Sequence, residues 1–399
     1  MNQATGGGIA PFRVLITGGG SGGHVYPLLA AVEGLQDAAA AANVSLELFY
    51  IGPDDEYRNV IAGAGVRTVG VVTGKLRRYF SLLTALDAPK MVIGFAQTFF
   101  HVFRLMPDAV FSKGGAGALW VVCAAWVFRV PVVIHESDVF PGLTNALSSR
   151  VAKTVLVSFE STMEYFKRTR VIHAGNPVRR ALLSKRIEPE EAKQQLGFSP
   201  RTALLLVLGG SQGSTRLNEF VILNLGELLR EAQVLHQTGR AHFDEVNMLA
   251  TAALKDTGFM ERESAYRAAP FLEDDMPLAL SAADLILARA GSGSIFEAAA
   301  FGKPAILVPL SESANDHQRR NAYEYAACGA AIVIEEKNLM MGIVRNQIRA
   351  ILQNPGAWER MHRASESFFR PDAARKIAEE LLRFRGREPG EPSSGPVVK

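Results

Sequence analysis

Short, nearly continuous apolar runs recur along the chain. Several are closed by a glycine-rich turn and followed by a stretch in which apolar residues return every three or four positions. Residues 12–17 (FRVLIT) form the first run; the glycine segment 18–23 follows, then an apolar helical stretch over 27–35. Runs of the same kind lie at 46–51, 109–112, 132–134 and 154–157. The scheme restarts at 203–208, which leads into glycine segment 209–213 and a helix carrying Leu217, Phe220, Val221 and Leu225. Two more runs, 285–287 and 305–308, bracket a further loop and helix. Strands that are apolar throughout, rather than alternating, are buried on both faces, and helices between them imply parallel sheets. Two such series predict an α/β protein of two doubly wound, Rossmann-like domains facing across a cleft. Ligands are then expected beyond the carboxyl ends of the strands. The charged, helix-patterned segment 179–200 reads as a linker, and the Gly/Pro/Ser-rich tail from 387 on as disordered.

Composition narrows the class. A chain of 399 residues can build two cores, and 48% hydrophobic with 21% charged residues is globular. The net charge of +3 comes without a long Lys/Arg run, which argues against a nucleic-acid partner. Cys123 and Cys328 stand in Ala-rich apolar surroundings and read as small buried hydrophobes, with no zinc or disulfide framework. Residues 1–11 lack a signal-peptide pattern, and the longest apolar run, 118–128, is too short to span a bilayer. That run reads as a buried helix, and the expected location is cytoplasmic.

Several loops carry candidate chemistry. Residues 18–23 fit G-x-G-x-x-G between a strand and a helix, where backbone N–H groups and a helix N-terminus can approach an anion. Dinucleotide sites share this pattern, but the second run ends Ile51-Gly52-Pro53 without the acidic residue a nicotinamide ribose wants. His24 follows the loop and can act as a base near neutral pH; capping the helix or merely lining the cleft is its alternative role. The loop from Arg289 through Ser292 and Ser294 to Glu297 opens another helix with small residues and hydroxyls suited to a diphosphate. Ser294-x-x-Glu297 also fits a capping box. The polar cluster from Asp316 through His317 and Gln318 to Asn321 follows the strand at 305–308; it reads equally as a solvated helix start. No Asp-x-Asp triplet occurs, so an anionic diphosphate would be offset by helix dipoles and backbone amides, with no metal and no cofactor.

Together these loops resemble the MurG family of N-acetylglucosaminyltransferases over roughly residues 14–329. The motifs are 19–27 (GGSGGHVYP), 135–138 (HESD) with 141–145 (PGLTN), 175–179 (GNPVR), 209–213 (GGSQG), 289–297, and His317-Gln318 with Asn321-Ala322. The resemblance implies an inverting, metal-independent enzyme of the two-Rossmann GT-B architecture. It would move N-acetylglucosamine from UDP-GlcNAc to the undecaprenyl-pyrophosphoryl-MurNAc-pentapeptide lipid I, giving lipid II, at the cytoplasmic face of the membrane. It implies donor contacts from Ser211, Gln212, Arg289, Ser292 and Ser294, with Leu272 at the uracil, Glu297 at the ribose and His317 and Gln318 at the sugar. Arg179 and Asn145, counted with the donor-binding residues, would lie in the cleft. Gly20, Ser21, Gly22, Gly23 and Asp138 would face the acceptor with His24 as the base. Two positions depart from the family pattern: Ala116 follows Gly114-Gly115 where an aromatic is frequent, and His317 stands where some members have Gln. On this reading, 12–178 form the acceptor domain, joined by a C-terminal helix at 366–386, and 179–365 form the donor domain.

Residues 74–105 combine Lys75, Arg77, Arg78, Lys90 and Arg104 with Tyr79, Phe80, Leu83, Phe95, Phe99, Phe100 and Phe103, against one acid, Asp87. Basic charge mixed with aromatics suits an anionic membrane surface; a domain core accounts for the aromatics equally. Alternatives that the residues leave open are another UDP-sugar enzyme of the same architecture, such as a lipid glucosyltransferase or a UDP-GlcNAc 2-epimerase, a nicotinamide oxidoreductase, and a nucleotide-sugar binding module.

Overall fold

The computed structural model describes residues 10–20, 22–72, 82–115, 117–256, 265–311 and 316–386, with backbone alone at 82–90 and 256. These residues divide into two compact units. One comprises residues up to 137, 141–177 and those from 372 on; the other comprises 138–140 and 178–371.

The first unit holds a seven-stranded parallel sheet of β1 (Phe12–Gly19), β2 (Leu46–Pro53), β3 (Arg67–Val71), β4 (Ala109–Gly115), β5 (Val132–Glu136), β6 (Thr154–Val157) and β7 (Arg170–His173). Their order is β3-β2-β1-β4-β5-β6-β7. Side-chain alternation explains why β1 is apolar on both faces from Val14 to Ile16, although Arg13 before them is exposed. Phe12, Val14 and Ile16 enter a layer with the helix Gly22–Ala41, while Leu15 enters the opposite layer with the helix Ala118–Val127. The second unit repeats the plan in six parallel strands: β8 (Leu204–Leu208), β9 (Gln233–Gln237), β10 (Tyr266–Ala269), β11 (Leu285–Ala288), β12 (Ala305–Leu307) and β13 (Ala331–Val333). Here the order is β10-β9-β8-β11-β12-β13.

Each sheet reverses winding at one place, between β1 and β4 in the first and between β8 and β11 in the second. Loops leaving such neighbours turn to opposite faces and leave a crevice at the carboxyl edge. The glycine segments singled out above lie at these two crevices: residues 18–20, 22–23 and 114–115 at the first, 209–213 and 289–293 at the second.

Three expectations are corrected. Residues 366–386 are not one helix: Pro355–Phe368 ends, and a separate helix, Ala373–Leu382, begins after Pro371. Proline disfavours helical geometry in the residue before it, so the chain must leave the helix there. The second helix packs on Gly22–Ala41 at a crossing so close that a Cβ on Gly34 would lie 2.8 Å from that of Ala374. Buried Glu380 anchors it by accepting from Thr154 Oγ1 at 3.1 Å and Arg170 Nη2 at 3.1 Å. Segment 179–200 is no linker either. Its helix Pro189–Gln195 packs on Met276–Ala282, and Lys193, nearly buried, pairs with Asp284 at 2.7 Å. The apolar run at 118–128 is buried along one side only, since Trp126 and Val127 are exposed.

Candidate active site

At the first crevice, two glycine loops meet backbone to backbone. Gly19 pairs with Gly115, and a Cβ on Gly115 would lie 2.5 Å from the Gly19 carbonyl oxygen. Gly20, Gly114 and Gly115 have φ of 87°, 79° and 89°, which L side chains rarely adopt. The buried Tyr50 hydroxyl donates to the Gly18 carbonyl at 2.5 Å and holds the loop from below; burial pushes this phenol well above its usual range. Gly20 and Gly23 are exposed, Gly22 opens the helix Gly22–Ala41, and His24 is half-buried on its first turn. Ser21 lies outside the described residues, as does Ala116.

Beneath the loops lies a polar group that pattern reading did not find as a unit. Lys113, buried at the end of β4, places Nζ 2.5 Å from His135 Nδ1 and 3.3 Å from Asn176 Oδ1, and also donates to Ser137 Oγ. His135 Nε2 faces the Gly175 carbonyl at 2.9 Å. Burial, with the Lys113 ammonium beside it, holds this imidazole well below its ordinary pKa. It is therefore neutral, donating through Nε2 and accepting from Lys113. Buried Glu136 accepts from the Gly142 N–H at 3.0 Å and from Asn145 Nδ2 at 3.0 Å. The HESD and PGLTN motifs thus form one built corner. Asn145, expected at the donor, belongs to this corner in the first unit. Its Oδ1 would stand 2.7 Å from a Cβ on Gly114 and has no hydrogen-bond partner among the described residues.

At the second crevice, Ser211 and Gln212 are exposed on the loop between β8 and the helix Thr215–Leu223. Gly213 is forced by space as well as by its φ of 81°, since a Cβ there would clash with the Thr238 carbonyl oxygen. Ser214 caps the helix by accepting from the Leu217 N–H at 3.4 Å. Gln237, unrecognised from the sequence, ties two parts of the site together: its Nε2 donates to the Gly210 carbonyl at 3.1 Å and its Oε1 accepts from the Leu272 N–H at 3.0 Å. Leu272 is buried, and Arg240 stacks on the adjacent Phe271 at 5.4 Å.

The helix Ser292–Ala300 starts with Gly291 as its N-cap and no side-chain cap bond. The capping box proposed for Ser294 and Glu297 is therefore absent, because both lie inside the helix rather than at its boundary. Ser292 is buried and Ser294 half-buried. Glu297 is partly buried; burial raises its carboxyl pKa to about 7, against the opposing pull of the Arg179 guanidinium. Arg179 sits just before the helix Arg180–Leu183 and faces this carboxylate electrostatically.

His317 and Gln318, both half-buried, open the helix His317–Ala327 behind Asp316, whose φ is 59°. Gln318 Oε1 accepts from the Leu310 N–H at 3.1 Å, which aims its amide. Asp138, expected beside the first glycine loop, groups instead with the second unit. Its Oδ1 accepts from Asn321 Nδ2 at 2.8 Å, while Asn321 Oδ1 accepts from the Val139 N–H at 2.9 Å. Arg289, expected at the donor, is buried and turned inward (below). Among the described residues no group of three or more His, Cys, Asp or Glu side chains is placed to hold a metal ion.

Comparison with known proteins agrees with this layout. Residues 14–157 match the glycosyltransferase family 28 N-terminal domain and residues 204–377 its C-terminal domain. The UDP-N-acetylglucosamine–N-acetylmuramyl-(pentapeptide) pyrophosphoryl-undecaprenol N-acetylglucosamine transferase of Treponema pallidum is 35% identical over 377 residues, 93% of this chain and 95% of that one. Transferase 2 of the same name from Bacillus cereus is 33% identical over 344 residues, 86% of this chain and 92% of that one. The crystal structure of Acinetobacter baumannii MurG superposes with a TM-score of 0.69 at 26% identity, covering 94% of this chain and 100% of that one. A UDP-GlcNAc 2-epimerase from Neisseria meningitidis shares the fold, with a TM-score of 0.63 at 15% identity, covering 93% of this chain and 100% of that one.

Proposed function

The chain belongs to glycosyltransferase family 28, and on that premise we propose that it transfers N-acetylglucosamine from UDP-GlcNAc to undecaprenyl-pyrophosphoryl-MurNAc-pentapeptide. The observation that carries the donor half is the β8/β11 crevice. Exposed Ser211 and Gln212 precede one helix N-terminus, Ser292 and Ser294 occupy the first turn of another, and Glu297 lies one turn further in. Backbone N–H groups and two aligned helix dipoles at one edge favour a diphosphate. The Glu297 carboxylate can accept from ribose hydroxyls, and His317 and Gln318 supply polar groups for the sugar. As the bond to the anomeric carbon breaks, the same dipoles stabilise the UDP that departs.

The paired glycine loops of the first unit offer the corresponding cradle for the acceptor's diphosphate. His24, on the first turn of Gly22–Ala41, takes the proton of the attacking sugar hydroxyl; its half-burial leaves the imidazole reachable. A lipid-linked acceptor also needs a membrane-facing surface. No helix of the described residues is long and apolar enough to cross a membrane. The helix Leu82–Leu105 buries Gly94, Thr98 and Val102 and exposes Val92, Ile93, Phe95, Phe100 and Phe103. Phe95 meets Trp120 at 5.5 Å, and Phe103 meets Phe128 at 5.7 Å, so the aromatic surface continues onto the helix Ala118–Val127. Arg104 and Arg129 are exposed at its margin. This surface suits the headgroup region of an anionic membrane.

The test is direct. Purified protein given labelled UDP-GlcNAc and lipid I should form a disaccharide-bearing lipid and UDP in equal amounts. Release of UDP with free sugar alone, or conversion of UDP-GlcNAc without an acceptor, counts against the proposal.

A further inference from the structure

Arg289 follows β11 at the edge where the donor diphosphate would lie, yet it is 7% exposed and every guanidinium nitrogen is engaged inside the domain. Nε donates to Ser214 Oγ at 3.0 Å. Nη1 donates to the Val308 and Pro309 carbonyls at 3.2 and 3.4 Å, and Nη2 to Glu336 Oε1 at 2.5 Å. Glu336 Oε2 in turn accepts from Ser311 Oγ at 2.9 Å. Burial pushes the Glu336 carboxyl up, but the Arg289 guanidinium and the Ser311 hydroxyl together outweigh it and hold the group below its ordinary range, so the pair is charged and mutually neutralised. Four of the five guanidinium N–H groups are thus used inside the domain, and the paired carboxylate offsets the charge that an external phosphate would need.

We propose that Arg289 and Glu336 form a positioning clamp that sets the diphosphate loop, rather than a contact to the donor. Four segments meet on the one guanidinium and its carboxylate: the cap of the helix behind residues 209–213, the end of β11, the chain after β12, and the turn holding Glu336. Ser214 is the lever. Its hydroxyl oxygen caps Leu217 N–H and accepts from Arg289, which orients the first turn beyond Ser211 and Gln212. Through Glu336 and Ser311 the clamp also steadies the strand-end segment whose Leu310 N–H orients Gln318. The fork geometry is essential, because a lysine ammonium is a single point donor and cannot reach all four acceptors together.

The inference rests on the donor-site reading, and the experiment separates the two. Binding of UDP and of uridine is measured by competition for R289K, E336Q and the double variant, with thermal melts alongside. UDP and uridine both lack the donor sugar and differ only in the diphosphate, so R289K should lose at least tenfold in UDP affinity while uridine affinity stays within twofold. E336Q should move the same way by less, and the double variant should be no worse than R289K, since both changes open one device. Should R289K not fold, E336Q and S214A carry the same comparison. The clamp is overturned by R289K retaining UDP affinity within twofold, by equal losses for UDP and uridine, or by additive losses in the double variant. Wild-type protein that binds UDP no better than uridine would instead overturn the donor-site reading.

Discussion

Glu297 offers the sharpest test, because burial has moved its titration into the working pH range. Its carboxyl pKa is raised from 4.5 to about 7. In the free protein the carboxylate therefore protonates as pH falls through neutrality. Ribose hydroxyls donate to the ionised form, so binding of UDP-GlcNAc should take up the ionised species and weaken below pH 7. For a group of pKa 7, the ionised fraction falls about tenfold between pH 8 and pH 6, and donor affinity should fall by about the same factor. E297Q removes the titration and the charge-assisted bonds, which are worth about 1.5–3 kcal/mol. It should bind the donor roughly 10- to 100-fold more weakly at pH 8, with no pH dependence left. UDP-GlcNAc is the right ligand, since its diphosphate carries an ester at each end and does not titrate in this window. Stability should move the opposite way. A carboxyl whose folded pKa lies above its unfolded value costs nothing below pH 4.5 and progressively destabilises as pH rises to about 7. The full penalty is on the order of 3 kcal/mol. E297Q should therefore gain thermal stability relative to wild type as pH rises from 5 to 8. Calorimetric titration and melts on the same samples check both. A wild-type dissociation constant unchanged between pH 6 and 8, or full donor affinity in E297Q, would refute the reasoning.

Further expectations follow from the other parts of the site. His24→Ala should lower turnover by roughly 10²–10⁴, the usual contribution of a general base, while the UDP-GlcNAc dissociation constant holds; a wild-type rate in the variant would move the base elsewhere. Replacing Phe100, Phe103 and Trp126 with Ser should release the protein from anionic vesicles in a flotation assay without lowering its melting temperature, because all three are more than half exposed. Raised salt should weaken the same binding by screening Arg104 and Arg129. EDTA should leave transfer to lipid I unchanged in a radiolabel assay; loss of activity restored by magnesium would show that backbone and helix dipoles do not suffice.

Some of the aromatic surface was visible in advance and some was misassigned. Phe99, a natural choice from pattern alone, is half-buried against Phe95 at 5.9 Å and Phe128 at 4.7 Å. The outward positions are Phe100 and Phe103, because burial of Gly94, Thr98 and Val102 every fourth residue decides which side faces in. Phe80 and Leu83 lie outside the described side chains. The strands that escaped pattern reading did so for two reasons. β3, β7, β10 and β13 are short strands at the sheet edges, bounded on one side by no neighbour among the described residues, so their apolar signal is diluted. β9 is central but reads Gln-Val-Leu-His-Gln, and its polar residues are buried because each finds a partner that only the fold supplies. His236 lies between Tyr266 Oη at 3.1 Å and Asn218 Oδ1 at 3.0 Å, and burial depresses its pKa to about 3.

Two parallel α/β domains could be inferred from the chain because periodicity is local. A strand buried on both faces is apolar at most positions, a covering helix repeats near 3.6, and a strand-to-helix turn at a close backbone approach calls for glycine. Motif residues such as Glu297, Gln318 and the glycine segments announce themselves in the same way. Strand order carries no such local signal. The folded chain alone sets β1 beside β4 and β8 beside β11, and so decides which loops share a crevice. It alone gives Asp138 to the second unit, Asn145 to the corner under Gly114, and Arg289 to an internal ion pair. In each case residue type specified a capacity for hydrogen bonding or charge, and partners far away in sequence determined whether that capacity was spent inside the protein or left for a substrate.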